Sequence, residues 1–243
     1  DLKDAYFSLT EALDHAGINN DTKVNINFVN SDELNNKNYS SKLKKSDAIL
    51  VPGGFGGRGI EGMILAAKYA REKKVPYFGI CLGLQIAIIE IARNLCGLKD
   101  ANSTEFKSRT KHKVISLITE WKNEDGSIEK RDKNSDKGGT MRLGAQKAKL
   151  KKNSLAHKLY KKTNIFERHR HRYEVNPEYV SELEKKGLLI SARSEIHNLV
   201  EIIGMKDHPW YLGCQFHPEF TSKPKTGHPL FNDFIKTAVK LKR

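Results

Sequence analysis

Gly79-Ile80-Cys81-Leu82-Gly83 places a cysteine where one kind of pattern ends and another begins. The run Val75–Ile80 (VPYFGI) reads as a buried strand, and Leu82 to about Leu95 reads as a long apolar helix. G-x-C-x-G between strand and helix is the cysteine form of a nucleophile elbow. Flanking glycines tolerate a tight turn that few side chains accept. The turn would push the sulfur out of the sheet. The helix N-terminus would lower the thiol pKa and offer free backbone N–H groups. Cys96 and Cys214 have no such setting and read as core residues. No two of the three cysteines share a CxxC or zinc-like spacing, so the sequence argues for no metal site and for a reducing, cytoplasmic setting.

A nucleophilic cysteine needs a base. Among nine histidines, His217 follows the strand-like Cys214-Gln215-Phe216 and precedes Pro218-Glu219. Residues i and i+2 of an extended chain point the same way. Glu219 could therefore accept the second imidazole N–H and fix the tautomer, as a triad acid does. His208 and His228 also precede proline, but neither has an acid two residues on. A third group is Val51-Pro52-Gly53-Gly54-Phe55-Gly56. It lacks GxxxxGK[ST], which argues against phosphate binding. Backbone N–H groups of Gly54 and Leu82 would instead form an oxyanion hole.

Elements must bring these segments together. Asp4–Ala16 reads as a helix with Leu9, Ala12, Leu13 and Ala16 on one face and Gly17 at its C-terminal cap. Val24, Ile26 and Phe28 alternate with polar residues as in a strand. Asn35–Asp47 is polar and reads as a loop or frayed helix. Ala48–Val51 is a short apolar run, and Gly59–Glu72 has helical spacing. Val114–Asp136 suggests an inserted hairpin turning at Asn123–Ser127. Leu199–Met205 and Tyr211–Phe216 read as strands, and Pro229–Leu241 as a closing helix. Short apolar strands alternating with helices predict an α/β domain: a doubly wound, mostly parallel, flavodoxin-like sheet covered on both faces. Ligands of such sheets bind beyond the carboxyl ends of the strands, where Cys81 and the glycine cluster lie.

The chain has 243 residues, 38% of them hydrophobic, enough for one such domain across 1–243. No run of eighteen apolar residues suggests a membrane span, and nothing at the start resembles a signal peptide. The net charge of +14 clusters in Lys42–Lys45, Lys147–Lys152 and Lys236–Arg243 without interleaved aromatics. That reads as solvated lysine-rich surface rather than a nucleic-acid site.

The elbow, the Pro-Gly-Gly loop and the His-Pro-Glu end together resemble the class I, triad-type glutamine amidotransferases. Val51–Met63 (VPGGFGGRGIEGM), Ala101–Phe106 (ANSTEF), Gly138–Gln146 (GGTMRLGAQ), Glu167–Asn176 (ERHRHRYEVN) and Gln215–Ser222 (QFHPEFTS) narrow the resemblance to CTP synthases, over almost the whole chain. The resemblance implies that Cys81, His217 and Glu219 hydrolyse glutamine and release ammonia. It implies that Glu105 pairs with the substrate ammonium, that Arg172 takes its carboxylate in a bidentate fork, and that Gln85 lies near the substrate. Gly54, Leu82, Gly83 and Leu84 complete the implied glutamine contacts. On residue type alone Glu105 reads equally as a solvated loop acid, Gln85 as a helix-flank residue, and RHRHR as an exposed basic strand or a histidine pair for a metal.

The resemblance further implies a lid loop at Gly138–Gly144. It implies a synthase domain ahead of this one that binds ATP and UTP with Mg2+, GTP as effector, and a homotetramer built mainly through that domain. No cofactor is implied for the glutaminase half. Family members carry a strand and a Gly-Lys-Tyr segment just before the position of Asp4-Ala5-Tyr6, whereas this sequence begins at Asp1.

Overall fold

The computed structural model describes residues 6–117, 120–122, 128–130 and 141–242. Helix α1 (Phe7–Ile18) buries the expected Leu9, Ala12, Leu13 and Ala16. It runs through Gly17 and ends on Asn19 rather than on the glycine. Residues 22–30 form no strand and join no ladder, which corrects the expected strand. Alternation alone does not make a strand: no described segment hydrogen-bonds alongside it, and Ile26 and Phe28 stay 37% and 42% exposed. The polar stretch that follows holds a single short helix, α2 (Tyr39–Leu43).

The next elements follow the apolar runs. They are β1 (Ile49–Val51), α3 (Ile60–Lys73), β2 (Tyr77–Ile80) and α4 (Leu82–Asn94). Then come β3 (Ala101–Ser103), β4 (His112–Leu117), β5 (Glu120–Lys122) and β6 (Ile128–Lys130). The expected hairpin is thus narrower than 114–136. Only β5 and β6 pair as a two-stranded ribbon, and its turn at 123–127 lies outside the described residues. Strand β4 instead lies between β3 and β9 (Tyr173–Val175) in a small sheet. The chain continues through β7 (Arg142–Leu150), α5 (Leu155–Tyr160), β8 (Asn164–His171), α6 (Pro177–Lys185), β10 (Leu188–Ser194), β11 (Val200–Met205), β12 (Tyr211–Cys214) and α7 (Pro229–Leu241).

The α/β, flavodoxin-like expectation holds, but the sheet expected to be mostly parallel is mixed, with seven strands ordered β1-β2-β12-β11-β10-β7-β8. The ladders β1–β2 and β2–β12 are parallel, and the other four are antiparallel. The parallel strands carry the elbow, and the antiparallel strands bring β8 behind it. Both faces are covered. Tyr77 stacks on Tyr211 at 4.5 Å in the layer under α3, α4 and α6. Its neighbour Phe78 points the other way, into Trp210, Phe231 and Phe234 under α1 and α7. This strict alternation makes residues 77–80 apolar throughout, as a strand buried on both faces must be. No described helix is long and apolar enough to cross a membrane.

Candidate active site

Strand β2 delivers Cys81 and α4 begins at the next residue. Cys81 has φ 51° and ψ −99°, a conformation non-glycine residues rarely adopt. Holding it costs about 1–3 kcal/mol, which the surrounding packing must impose. The expected reason for the glycines is therefore corrected. Neither Gly79 nor Gly83 has a positive φ; the strained turn is Cys81 itself. The glycines allow α4 to lie directly on the sheet. A Cβ on Gly83 would sit 2.1 Å from the Val51 carbonyl oxygen, and one on Gly79 would sit 2.5 Å from the Gly83 carbonyl. Tyr77 Oη locks the contact by donating to the Gly83 oxygen at 2.8 Å. Cys81 N–H donates to Cys214 O at 2.7 Å, so the ladder with β12 reaches the nucleophile.

His217 is anchored by its own backbone N–H, which donates to Arg168 O of β8 at 2.8 Å. Its Nδ1 lies 2.7 Å from Glu219 Oε1. The pairing is as expected, but the geometry is not an extended i, i+2 relation. Pro218–Thr221 form a 3-10 turn that curls the carboxylate back to the ring. The Phe220 ring stacks on the imidazole at 5.2 Å and 18°. With Nδ1–H donated to Glu219, Nε2 is the bare acceptor. It is buried and has no hydrogen-bond partner among the described residues.

The glycine loop packs against both groups. A Cβ on Gly54 would lie 3.2 Å from Leu82 Cδ2, so the two expected oxyanion donors are neighbours. Gly56 N–H donates to Glu105 Oε1 at 2.9 Å. Glu105 is half-buried, and burial raises its carboxyl pKa against the pull of Gly56 N–H and Arg172. Arg172, at the bend between β8 and β9, keeps a buried Nε without a partner among the described residues. The Glu105 carboxylate is near enough for its charge to act on Cys81, and the Arg172 guanidinium is near enough to act on Glu105. Leu84 is fully buried in the core. Gln85 is 3% exposed, and its Nε2 donates to Tyr173 O at 3.0 Å. Of the lid expected at Gly138–Gly144, residues 138–140 lie outside the described residues, and Arg142-Leu143-Gly144 begin β7.

Burial pushes the Cys81 thiol up to about 12, with the Glu219 charge adding to it and the Leu82 N–H opposing it. The expected lowering by the helix terminus is overturned, because desolvation outweighs one backbone donor. The sulfur therefore rests as a thiol and needs a base at the moment of attack.

Behind the site lies a buried network that the sequence did not reveal. Arg142 donates to Glu174 Oε1 at 2.9 Å, Glu201 Oε1 at 2.7 Å and Gln146 Oε1 at 2.8 Å. His169 and His171 point inward from β8, while Arg168 and Arg170 are exposed. His171 Nδ1 donates to Tyr173 O at 3.2 Å, so its Nε2 accepts from His169 Nδ1 at 2.9 Å. Burial and the Arg142 charge hold His169 down at about 2 and His171 well below the imidazole range. Both rings are neutral. Among the described residues no three His, Cys, Asp or Glu side chains converge as metal ligands. One guanidinium faces two carboxylates, and burial raises both of their pKa values. Glu201 Oε2 and His169 Nε2 face each other at 3.6 Å, beyond hydrogen-bond reach, and neither has a partner among the described residues. The signal that could have found this network was the alternation in RHRHR, which puts every second residue on the inner face.

A family profile described as Glutamine amidotransferase class-I matches residues 1–237. The glutaminase domain of Trypanosoma brucei CTP synthase, solved with bound acivicin, is 38% identical with a TM-score of 0.88, over 99% of this chain and 90% of that one. A Thermoplasma acidophilum structure described as a candidate GMP synthase component is 16% identical with a TM-score of 0.51, over 91% of this chain and 81% of that one. At that identity it speaks for the fold alone.

Proposed function

The chain belongs to the class-I glutamine amidotransferase family, and from that premise we propose that it hydrolyses glutamine through a thioester on Cys81. The observation that carries the proposal is His217. Glu219 fixes its Nδ1 at 2.7 Å and leaves Nε2 bare, buried and unpartnered among the described residues, beside the elbow. Such a nitrogen is set to take a proton from a thiol that cannot ionise alone.

Cys81 Sγ attacks the side-chain carbonyl carbon of glutamine as its proton passes to His217 Nε2. The carbonyl electron pair moves to oxygen, where the N–H groups of Gly54 and Leu82 receive it. Collapse of the intermediate expels the amide nitrogen, which takes the proton from His217 and leaves as ammonia. Water then gives a proton to His217 and attacks the thioester carbon; the C–S bond breaks, the sulfur takes the proton back from His217, and glutamate leaves. Glu219 holds the imidazole and stabilises its charged form. Glu105 binds the substrate ammonium and Arg172 its carboxylate. Gly83, Leu84 and Gln85 shape the turn beneath. Every group in these steps is a protein group, so the half-reaction uses no cofactor or metal. The ammonia serves a synthase domain of the CTP synthase type, which takes UTP, ATP and Mg2+, responds to GTP and forms the tetramer, in the cytoplasm.

Cys81→Ala is the test. It should remove glutaminase activity while circular dichroism and melting stay those of a folded protein. Turnover surviving in folded Cys81→Ala would refute the assignment.

A further inference from the structure

The residue two before His217 touches the nucleophile from the other side. Gln215 is fully buried. Its Nε2 lies 3.7 Å from Cys81 Sγ, within reach of an N–H···S hydrogen bond. Its Oε1 lies 3.4 Å from Gln85 Nε2, and that same Nε2 donates to Tyr173 O at 3.0 Å. Its backbone N–H is tied to Glu201 O at 2.9 Å.

The order of these contacts fixes which end of each amide points where. Tyr173 O is a backbone carbonyl and can only accept. Gln85 must therefore present its NH2 there, since turning the amide over would set two acceptors against each other. The NH2 of Gln85 then faces Gln215, which must present its oxygen. The remaining end of Gln215 is its NH2, and it points at sulfur. An amide that would otherwise flip freely is oriented by an unflippable carbonyl two bonds away.

We infer that Gln215 is a further catalytic residue: it donates a hydrogen bond to Cys81 Sγ that strengthens as the thiol ionises, and Gln85 is the positioning residue that holds it so. The inference rests on Cys81 being the nucleophile. No proton leaves Gln215. The thiol proton still goes to His217 Nε2, and the amide N–H stays on nitrogen as sulfur gains and then shares its electron pair. A donor to a charged acceptor is worth more than one to a neutral acceptor. The contact therefore favours the thiolate and the sulfur leaving at deacylation. It also opposes the burial that holds the thiol protonated. Gln85 thereby acquires a role through its side chain that does not require contact with glutamine.

The test is the rate of Cys81 alkylation by iodoacetamide at a fixed pH of about 8, followed by peptide mapping so that Cys96 and Cys214 are scored separately. Gln215→Met removes the donor and keeps the bulk. Far below the thiol pKa the rate follows the thiolate fraction, so it should fall on the order of tenfold, and kcat should fall on the order of tenfold with KM little changed. Gln85→Met, which frees the Gln215 amide to rotate, should lower the Cys81 rate by less. It decides the matter if Gln215→Met does not fold. A purely structural role would lower the melting temperature and leave the Cys81 alkylation rate alone. An unchanged Cys81 alkylation rate in either folded variant overturns the inference. Alkylation uses no glutamine, so this failure is separable from failure of the glutaminase assignment, which shows only in Cys81→Ala.

Discussion

Gly53 has no side chain because His217 occupies the space one would need. A Cβ there would stand 2.7 Å from the imidazole Cε1, 3.4 Å from Nδ1 and 3.5 Å from Cys81 Cβ. The loop backbone thus sets the distance between base and nucleophile. Gly53→Ala should push the ring off Glu219 and away from Cys81 without touching the core. A misplacement of about 1 Å costs on the order of 100-fold in rate. We expect a kcat loss of that order with a melting temperature close to the parent's. A variant that keeps more than about half of its kcat would mean that the ring moves during turnover and that Gly53 does not fix it.

At the scale of elements, the side chain that ties the antiparallel strands to the site is Arg142. From the start of β7 it joins Glu174 on β9 and Glu201 on β11, all three buried. Removing one partner of such a cluster leaves charge buried without compensation, at about 3–5 kcal/mol. Arg142→Met should lose that order of stability near neutral pH. The sign of its pH dependence follows from the shifts. Burial raises the folded pKa of Glu174 and Glu201 above 4.5, and losing Arg142 raises them further. The folded variant then binds more protons than the unfolded chain, so its stability falls as pH rises through and above the ordinary carboxylate range. His169 and His171 act in the same sense, since loss of the Arg142 charge eases their protonation as pH falls. The deficit of Arg142→Met should therefore be larger at about pH 8 than at about pH 5.5. Urea melts at the two values check it, and a deficit independent of pH would mean that the carboxylates carry no retained proton.

At the scale of the molecule, the proposed base and nucleophile are close but not joined. No hydrogen bond joins His217 Nε2 to Cys81, and the thiol is protonated. Around its mouth, Phe55 and Leu143 stand 61% and 58% exposed, and Arg170 lies 6.0 Å from the Phe55 ring. An apolar and basic rim of this kind suits coverage by the proposed synthase domain, which would draw the glycine loop and the start of β7 inward. When only a small fraction of molecules holds the competent geometry, the observed rate falls by that fraction. The chain alone should bind glutamine and react slowly at Cys81 with cysteine-directed glutamine analogues, yet turn glutamine over at least about tenfold more slowly than when joined to a synthase domain with UTP, ATP and GTP. Equal rates per Cys81 would show that hydrolysis is not coupled to that partner.

The proposed nucleophile, its proposed base and the loop opposite were legible as candidates in the sequence because each sits where a pattern changes. Cys81 ends a run buried on both faces, Gly53 and Gly54 follow β1, and His217 follows β12. Local chemistry of that kind does not depend on distant partners. Three things did depend on them. Val24, Ile26 and Phe28 alternate as a strand does, yet no described segment pairs with them, since a ladder needs a second chain segment that alternation cannot supply. The helix terminus was expected to ionise Cys81, but how deeply the sulfur is buried is decided by α4 lying directly on the sheet, and burial outweighs a single N–H. Arg142, Glu174 and Glu201 are far apart in the chain and ordinary in type. The β7–β8 ladder sets Arg142 opposite His171, three residues before Glu174, the ladders through β10 place Glu201 in the same sheet as Arg142, and burial there makes their charges matter. The sequence determined which side chains are proposed to react. The tertiary structure decided their ionisation, because that is set by solvent exclusion, which is a property of packing rather than of any residue.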